Sequence, residues 1–328
     1  MSLKGAKVLI TGAGGFIGSH LAERLLDEGA AVSVFLRYNA LGHKGWIDTF
    51  SNGTASRLKI ILGDLRDPEA VRKAVRGQEI VFHLGALIAI PYSYINPREF
   101  VDTNVVGTAN ILNAALEYET ERVVHTSTSE VYGTAQYVPI DEGHPLVGQS
   151  PYAASKIGAD QLALSYYRSF GLPVTVLRPF NTFGPRQSVR AIIPTIVSQA
   201  LSGKRIRLGS LYPTRDLSYV TNTVEGFVRI SQARGVLGKV INVGMGTEIS
   251  VGELVEEIGS ILKKKLVAEK EKQRVRPAES EVDRLLADTR LAQEVLDWKP
   301  KVDFTTGLKK TIDWYKRNRS LFPKEYVV

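Results

Sequence analysis

Short runs of consecutive aliphatic residues alternate, in the first half of the chain, with longer segments whose apolar residues recur at helical spacing. Uninterrupted apolar runs are typical of strands buried on both faces of a parallel sheet. The pattern predicts strands at Lys7–Ile10, Ala31–Leu36, Lys59–Leu62, Ile80–Leu84, Arg122–Ser127 and Val174–Arg178. It predicts helices at Gly18–Asp27, Pro68–Val75, Val101–Leu116 and Tyr152–Phe170. This alternation indicates an α/β fold with a doubly wound parallel sheet.

The alternation loosens after about residue 180, where loops rich in Gly, Pro and Arg become frequent. We therefore expect a first domain over residues 1–180 and a smaller α/β domain over residues 181–328. The strand-like run Lys239–Val243 is expected to return to the main sheet. The second domain would then be interleaved with the first.

Composition narrows the class of protein. The chain has 328 residues, of which 44% are hydrophobic and 23% charged, as in ordinary globular proteins. It contains no cysteine, which excludes disulfides, thiolate catalysis and cysteine-based metal sites. The first ten residues show no signal-peptide pattern, and the longest apolar stretch, Ile80–Ile90, is too short to span a bilayer. We therefore expect a soluble cytoplasmic protein.

The net charge of +8 leaves three kinds of anionic partner open: nucleic acid, a membrane surface or a small anionic substrate. Lys263–Arg276 contains seven cations and two acids, and a solvated helix face explains most of that excess. No RNA-binding motif and no DNA recognition helix is evident, so nucleic acid is not expected as a partner.

The first predicted strand leads into a glycine-rich loop before the first predicted helix. Its glycines are Gly12, Gly14, Gly15 and Gly18, with Phe16 and Ile17 between them. Glycines in this position permit a tight turn and let backbone N–H groups approach a pyrophosphate at the helix N-terminus. The strand before and the helix after supply the required context, so the loop predicts dinucleotide binding in a Rossmann fold.

The cofactor's adenosine end is expected near the second and third strands. The second strand of such a site normally ends in an acid that accepts a hydrogen bond from the ribose. Here that position holds Arg37, which would instead pair with a 2′-phosphate and so favours NADP over NAD; the alternative is an exposed loop arginine. Asp64 is expected to contact the adenine, whereas Asp67 suits the cap of the helix at Pro68.

Tyr152 and Lys156 are four residues apart on a predicted helix and therefore share one face. An ammonium close to a phenol is expected to lower the phenol pKa, which would make the tyrosinate a usable base near neutral pH. The pair opens the helix that follows the strand Arg122–Ser127 and its loop. That position makes it the strongest candidate for a catalytic pair.

A set of motifs in a fixed order resembles the extended short-chain dehydrogenases/reductases. They are Thr11–Gly18, His83–Ala86, Asn104–Gly107, Thr128–Gly133, Tyr152–Lys156, Arg178–Asn181, Gly184–Arg186, Arg215–Asp216 and Arg276–Pro277. The triplet Thr128–Ser129–Glu130 resembles the nucleotide-sugar 4,6-dehydratases, among them the GDP-mannose enzymes. Residues 149–152 and 280–288 resemble the N-acetylhexosamine dehydratases of legionaminic-acid-type pathways, with uridine or guanosine as the base.

The resemblance implies a role for each catalytic residue. Tyr152 would take the C4 hydroxyl proton while hydride passes to the nicotinamide, and Lys156 would contact the nicotinamide ribose. Thr128 would bond the O4 region, and Glu130 would abstract the C5 proton before water leaves C6. Many dTDP-glucose enzymes carry Asp where Ser129 stands. Either Ser129 relays the proton to the leaving hydroxyl, or Glu130 serves both roles.

The resemblance also implies the binding residues. Leu65, Leu84, Ala86 and Asn104 would line the cofactor site, and Asn181, Arg186, Arg215 and Arg276 would hold the diphosphate and nucleoside. The helices Val101–Leu116 and Tyr152–Phe170 would form a four-helix interface in a homodimer. The five histidines have no metal-ligand spacing and no local carboxylate partner, so no metal is expected.

Two other functions stay open on the sequence. The same scaffold also serves nucleotide-sugar 4-epimerases and reductases, which do not need a carboxylate at Glu130. A catalytically silent NADP-binding regulator would have no need for Tyr152, Lys156 and Glu130 together. A cell-surface polysaccharide pathway is the expected setting of a dehydratase of this kind.

Overall fold

A computed structural model describes residues 2–321 of the chain. The strands, in chain order, are β1 (Lys7–Thr11), β2 (Ala31–Arg37), β3 (Lys59–Gly63), β4 (Ile80–His83), β5 (Arg122–Thr126), β6 (Val174–Pro179), β7 (Asn181–Phe183), β8 (Arg205–Leu208), β9 (Thr214–Arg215), β10 (Leu217–Tyr219), β11 (Val240–Val243), β12 (Ile249–Ser250), β13 (Val267–Lys270) and β14 (Arg284–Leu285).

The helices are α1 (Phe16–Asp27), α2 (Asn52–Ala55), α3 (Pro68–Val75), α4 (Ile90–Ile95), α5 (Pro97–Phe100), α6 (Gly107–Glu117), α7 (Pro151–Phe170), α8 (Ile192–Ser202), α9 (Val220–Gln232), α10 (Val251–Leu262), α11 (Arg290–Leu296) and α12 (Phe304–Arg317). Short 3-10 turns occur at Gly45–Thr49, Ser129–Tyr132, Lys272–Arg274, Ala278–Ser280 and Arg319–Leu321, and a π-helical turn at Val101–Val106.

The main sheet has seven parallel strands in the order β11-β6-β5-β4-β1-β2-β3. Alternate residues of β1 enter different cores, because Val8 and Ile10 pack with α1 and α9 while Leu9 packs with α3, α6 and α7. Both faces are therefore covered by helices, which explains the uninterrupted apolar runs. The doubly wound α/β fold expected from the sequence is confirmed.

The second half of the chain builds small sheets beside the carboxyl end of the main sheet's β6. They are β10-β7, β12-β9-β14 and β13-β8. The strand expected at Lys239–Val243 is β11, which pairs in parallel with β6 and forms the edge of the main sheet.

One predicted helix differs in form. Val101–Leu116 is not a regular α-helix, because its first six residues form a π-helical turn before α6 begins at Gly107. Asn104 lies in this turn, and its side chain bonds to the backbone of Leu87 and to Ser155 instead of facing solvent. A wide turn of this kind commonly accompanies a functional site.

Candidate active site

Close backbone packing explains the glycines of the loop between β1 and α1. Gly12 has φ +73°, and a Cβ there would lie 2.8 Å from the Gly85 nitrogen. A Cβ on Gly18 would lie 2.3 Å from the Gly12 oxygen, and one on Gly14 would lie 2.7 Å from the Lys44 oxygen. No larger residue fits these three positions without moving the backbone.

The N-terminus of α1 is open to a ligand. The helix begins with Phe16 and Ile17, and its N-cap residue Gly15 supplies no side-chain hydrogen bond. Free N–H groups at a helix N-terminus attract anions. The glycine loop and this helix end therefore fit the pyrophosphate of a dinucleotide.

The end of β2 lies beside the end of β3. Arg37, exposed at the end of β2, is paired in register with Gly63, the residue before Asp64. The Asp64 carboxylate accepts two hydrogen bonds from the Arg66 guanidinium, at 2.9 and 2.6 Å, and Arg66 together with Arg37 lowers its pKa. Asp67 caps α3, because it accepts from the amides of Glu69 and Ala70.

The loop after β4 is held in place from two sides. The strand ends at His83, so Leu84 and Ala86 belong to the loop. The Gly85 amide donates to the Thr11 hydroxyl at 2.9 Å, and the Asn104 amide group bridges this loop to Ser155 on α7. Leu65 packs against the same loop, since a Cβ on Gly85 would lie 2.8 Å from its Cδ1.

The catalytic pair lies at the start of α7. Ser150 caps the helix by accepting from the Ala153 amide, and Tyr152 and Lys156 follow on its buried face. The Lys156 Nζ donates to the Thr126 carbonyl at 2.7 Å. The Thr128 side chain lies close enough to the phenol of Tyr152 to lower its pKa.

The expectation that Lys156 lowers the pKa of Tyr152 is not met. Burial raises the pKa of Tyr152 above its ordinary value and outweighs the opposing effect of Thr128, while the charges of Glu130 and Asp160 raise it further. Burial lowers the pKa of Lys156 to about 8. The Lys156 ammonium donates its hydrogen bond to the Thr126 carbonyl and not to the Tyr152 phenol. This contact is the physical reason why the expected decrease in the Tyr152 pKa does not occur.

The residues Thr128, Ser129 and Glu130 form the turn after β5. Thr128 starts this 3-10 turn and its hydroxyl accepts from the Glu130 amide at 3.3 Å. Ser129 and Glu130 are both buried, at 2% and 7% exposure. Glu130 lies close enough to Tyr152 for its charge to act on the phenol. A carboxylate and a phenol therefore face one site.

Two predicted substrate-binding arginines come together around this carboxylate. Arg276 Nη1 lies 3.8 Å from Glu130 and 3.8 Å from Glu281, and Arg215 Nη2 lies 3.9 Å from Glu281. The Arg276 Nη1 and the Asn181 Oδ1 are buried without a hydrogen-bond partner. We call Glu130, Arg215, Arg276 and Glu281 the arginine cluster.

Arg186 is engaged elsewhere. Its guanidinium forms a bidentate ion pair with Glu23 of α1, at 2.7 and 3.1 Å, and stacks over the ring of Phe50. Its hydrogen-bond contacts thus belong to α1 and not to the arginine cluster. A role for Arg186 in binding the diphosphate stays a prediction.

Two contacts of the site were not predicted from the sequence. Glu281 lies near both arginines, and its place in the motif of residues 280–288 was the only sequence signal for it. His125 has a carboxylate partner after all, Asp160, which is distant in sequence and buried with Arg178 below Lys156. The spacing of four residues from Lys156 to Asp160 along one helix face was a usable signal.

Other features of the described residues bear on the kind of protein. Within residues 2–321, no group of three or more His, Asp or Glu is placed to hold a metal ion. None of the helices in that range is sufficiently long and apolar to cross a membrane. The glycine loop is suited to the pyrophosphate of a dinucleotide, and Tyr152, Lys156 and the buried Glu130 are side chains that can transfer protons.

Comparisons with known proteins identify the family. Residues 9–311 match the family model described as GDP-mannose 4,6 dehydratase. A dTDP-glucose 4,6-dehydratase from an Actinoplanes species is 34% identical over 322 residues, covering 96% of this chain and 99% of that protein. A putative UDP-glucose 4-epimerase from Methanocaldococcus jannaschii is 32% identical over 317 residues, covering 95% of this chain and 99% of that protein.

Solved structures agree. The crystal structure of a dTDP-glucose 4,6-dehydratase from Streptomyces venezuelae, with NAD and TYD bound, superposes with a TM-score of 0.85 at 30% identity, covering 97% of this chain and 99% of that one. A UDP-N-acetylglucosamine 4-epimerase from Methanobrevibacter ruminantium has a TM-score of 0.86 at 29% identity, covering 96% and 99%. The chain belongs to the extended short-chain dehydrogenase/reductase family of nucleotide-sugar 4,6-dehydratases and epimerases.

Proposed function

We propose that the protein is a nucleotide-sugar 4,6-dehydratase, which converts a nucleotide hexose to the 4-keto-6-deoxy sugar. The observation that carries the proposal is the buried carboxylate of Glu130, which lies in electrostatic contact with the Tyr152 phenol. Epimerisation at C4 requires only reversible oxidation, whereas loss of water across C5 and C6 requires a base for the C5 proton. Glu130 is that base.

Each side chain has one task in this scheme. The glycine loop and Lys156 would hold a nicotinamide cofactor, which would supply the chemistry of hydride acceptance from C4 and hydride donation to C6. Tyr152 takes the C4 hydroxyl proton, with Thr128 close to the phenol, and Lys156 holds the nicotinamide ribose. Glu130 removes the C5 proton that the new ketone acidifies. The proton for the departing C6 hydroxyl comes from Ser129 as a relay or from Glu130 itself.

The proposed substrate carries a diphosphate. Guanidinium groups bind phosphate oxygens in pairs, and Arg276 has a buried Nη1 without a hydrogen-bond partner for that contact. The unpartnered Asn181 Oδ1 is an acceptor and suits a hydroxyl or N–H group of the substrate instead. We propose UDP- or GDP-N-acetylglucosamine, on the resemblance of residues 280–288 to N-acetylhexosamine dehydratases. Relatives named for dTDP-glucose make that nucleotide sugar the comparison substrate.

The cofactor is NADP or NAD. The exposed Arg37 at the end of β2 favours NADP, because it offers a cation where an acid would bond the free ribose hydroxyls. Two solved relatives are described with NAD. Parallel assays with both dinucleotides decide the preference.

We also propose a homodimer through the outer faces of the π-helical turn, α6 and α7. Val101, Val106, Tyr167 and Phe170 on these elements are exposed apolar residues. Two copies that cover these side chains would remove them from water. Analytical ultracentrifugation of the purified chain tests the dimer.

The deciding experiment is mass spectrometry of products from a panel of UDP-, GDP- and dTDP-hexoses. A dehydratase gives a product lighter by one water, with no net reduction of the cofactor. The Glu130→Gln variant is expected to bind cofactor normally and to lose dehydration. Full dehydration by that variant would contradict the assignment, and an unchanged mass with inverted C4 would identify a 4-epimerase, which the similarity to epimerases makes the second candidate.

A further inference from the structure

A buried carboxylate lies one helical turn beyond Lys156. Asp160 is fully buried and accepts a hydrogen bond from Ser127 Oγ at 2.5 Å and one from Arg178 Nη2 at 2.8 Å. The His125 Nε2 lies 3.1 Å from its other oxygen. Every one of these partners is itself buried. An anion so completely enclosed is costly to keep in place unless its partners are retained.

Two partners of Asp160, His125 and Ser127, lie at the end of β5 and in the turn that follows it. They alternate along the chain with Thr126 and Thr128. The Thr126 carbonyl accepts a hydrogen bond from the Lys156 Nζ, and the Thr128 side chain lies close enough to the Tyr152 phenol to lower its pKa. The two residues that contact Asp160 and the two that contact Lys156 and Tyr152 therefore follow one another directly in the chain.

Arg178 connects Asp160 and Ser127 to other strands of the sheet. Its Nε donates to Ser127 Oγ at 3.2 Å, so it holds Ser127 and Asp160 together. Its guanidinium stacks at 4.6 Å over the ring of Tyr132, whose hydroxyl donates to Asn242 on β11 at 2.8 Å. The end of β5 is thereby attached both to β6 and to the edge strand of the sheet.

We propose that Asp160 is a positioning residue for the catalytic pair. Through His125, Ser127 and Arg178 it fixes the end of β5 so that Thr126 and Thr128 present their oxygens to Lys156 and Tyr152, and it places a negative charge one turn from the Lys156 ammonium. The role rests on the proposed function of Lys156 and Tyr152, which touch the cofactor and the sugar.

Charge gives Asp160 a second effect on Lys156. Lys156 faces Asp160 on its own helix α7, His125 on β5 and His83 on β4, and its charge lowers the pKa of both imidazoles. Arg178 on β6 faces Asp160. Burial lowers the pKa of Lys156 to about 8, and Asp160 opposes that decrease. Without the carboxylate charge the ammonium would lose its proton at a lower pH. Asp160 therefore sets the alkaline limit of activity.

Asp160→Asn tests the charge while it preserves the shape of the side chain. We expect the alkaline limb of the kcat/KM profile to move to lower pH by about one unit. Activity would then fall about two-fold at pH 7 and about eight-fold at pH 8.5, relative to the native chain. The control is Asn222→Ala, which removes a buried amide that bonds to residues 301 and 302, and it should lower the Tm without moving the limb.

A readout without sugar separates this proposal from the proposed function. The pH at which NAD(P)H affinity declines should shift by the same amount in Asp160→Asn, whatever reaction the enzyme catalyses. Suppose that Asp160→Asn forms product, with neither the alkaline limb of kcat/KM nor the pH at which NAD(P)H affinity declines shifted. This result would overturn the role of Asp160 and leave the assignment as a dehydratase unchanged. A shifted affinity without any dehydrated product would overturn the dehydratase and support Asp160.

Ser127→Ala provides a second test if Asp160→Asn does not fold. It removes one hydrogen bond to the carboxylate and keeps the charge. We expect kcat to fall about five-fold, the size of one hydrogen bond, with the pH limb unmoved. Native kcat in this variant would overturn the positioning role, and a decrease at unchanged limb would support it.

Discussion

Two groups of charged side chains lie near Tyr152 and Lys156. The Asp160 network consists of Asp160, Arg178, His125 and Ser127, and the other group is the arginine cluster; they are built differently. In the Asp160 network, the Arg178–Asp160 ion pair measures 2.8 Å and its side chains are 2% and 0% exposed. In the arginine cluster, Arg276 lies 3.8 Å from both Glu130 and Glu281, and 27% of its side chain is exposed. In the first network, both oxygens of the carboxylate have partners within the protein. The second has charge to offer a ligand.

The elements that carry each group explain the difference. Asp160 lies on the longest helix, α7, and Arg178 on β6 in the middle of the core. Arg215 lies on the two-residue strand β9, and Arg276 lies in a loop after β13. Charges on core elements are fixed by packing, whereas charges on short strands and loops can respond to what binds. On the proposed function, the fixed charges support the Tyr152/Lys156 pair, and Arg215 and Arg276 would bind the diphosphate.

The largest effect is expected when the Tyr152 hydroxyl is removed while the Asp160 network and the arginine cluster are both kept. Tyr152→Phe deletes the phenol oxygen and leaves the ring packed against Phe100, so turnover should fall about 10^3-fold with an unchanged Tm. Tyr166→Phe on the same helix, where the hydroxyl bonds to Asn113, is the control and should keep native turnover. Comparable rates in the two variants would remove Tyr152 from the mechanism. Turnover is followed by product mass.

Breaking the Asp160 network should lower the free energy of unfolding. Arg178→Met leaves the Asp160 carboxylate buried beside Ser127 and His125 without its cationic partner, and the free energy of unfolding should fall by about 3–5 kcal/mol. Urea denaturation measures this change. A loss below about 1 kcal/mol would show that the buried pair contributes no more than a surface pair.

Breaking the arginine cluster should instead weaken the binding of a nucleoside diphosphate. Arg276→Met removes a guanidinium with a buried, unpartnered Nη1, and the Kd for a nucleoside diphosphate should rise about ten-fold or more, as for a charged hydrogen bond. Its unfolding free energy should change by less than about 1 kcal/mol, because its ion pairs are long. Arg205→Met, an exposed arginine on β8, controls for net charge. Equal affinity in both variants would count against the cluster as the diphosphate site.

The smallest effect is expected at an exposed cation that belongs to neither group. Arg37→Ser removes the positive charge at the end of β2, and the preference for NADP over NAD should fall about ten-fold, while NAD affinity changes little. Fluorescence titration with both reduced dinucleotides measures the ratio. An unchanged ratio would place the 2′-phosphate contact elsewhere.

The sequence predicted those parts of the site that lie close together in the chain. The glycine loop follows from a strand, a turn and a helix in order, and Tyr152 and Lys156 follow from helical spacing. Contacts between distant residues were not readable in this way, such as His125 with Asp160 or Arg186 with Glu23. The ion pair of Arg186 with Glu23 joins residues 163 positions apart, and the motif of Arg186 gave no sign of it. Burial, which reverses the expected effect on the Tyr152 pKa, also depends on the whole fold.

The return of β11 to the main sheet has a consequence for how the chain folds. The seven-stranded sheet needs residues 240–243, so it cannot be completed until about three quarters of the polypeptide has left the ribosome. Until then β6 is an uncovered edge with an apolar sequence, a surface prone to aggregation. A fragment that ends at residue 180 would keep that edge permanently, and we expect it to be insoluble when expressed alone. The main sheet thus depends, for its folding, on a strand from the later part of the chain.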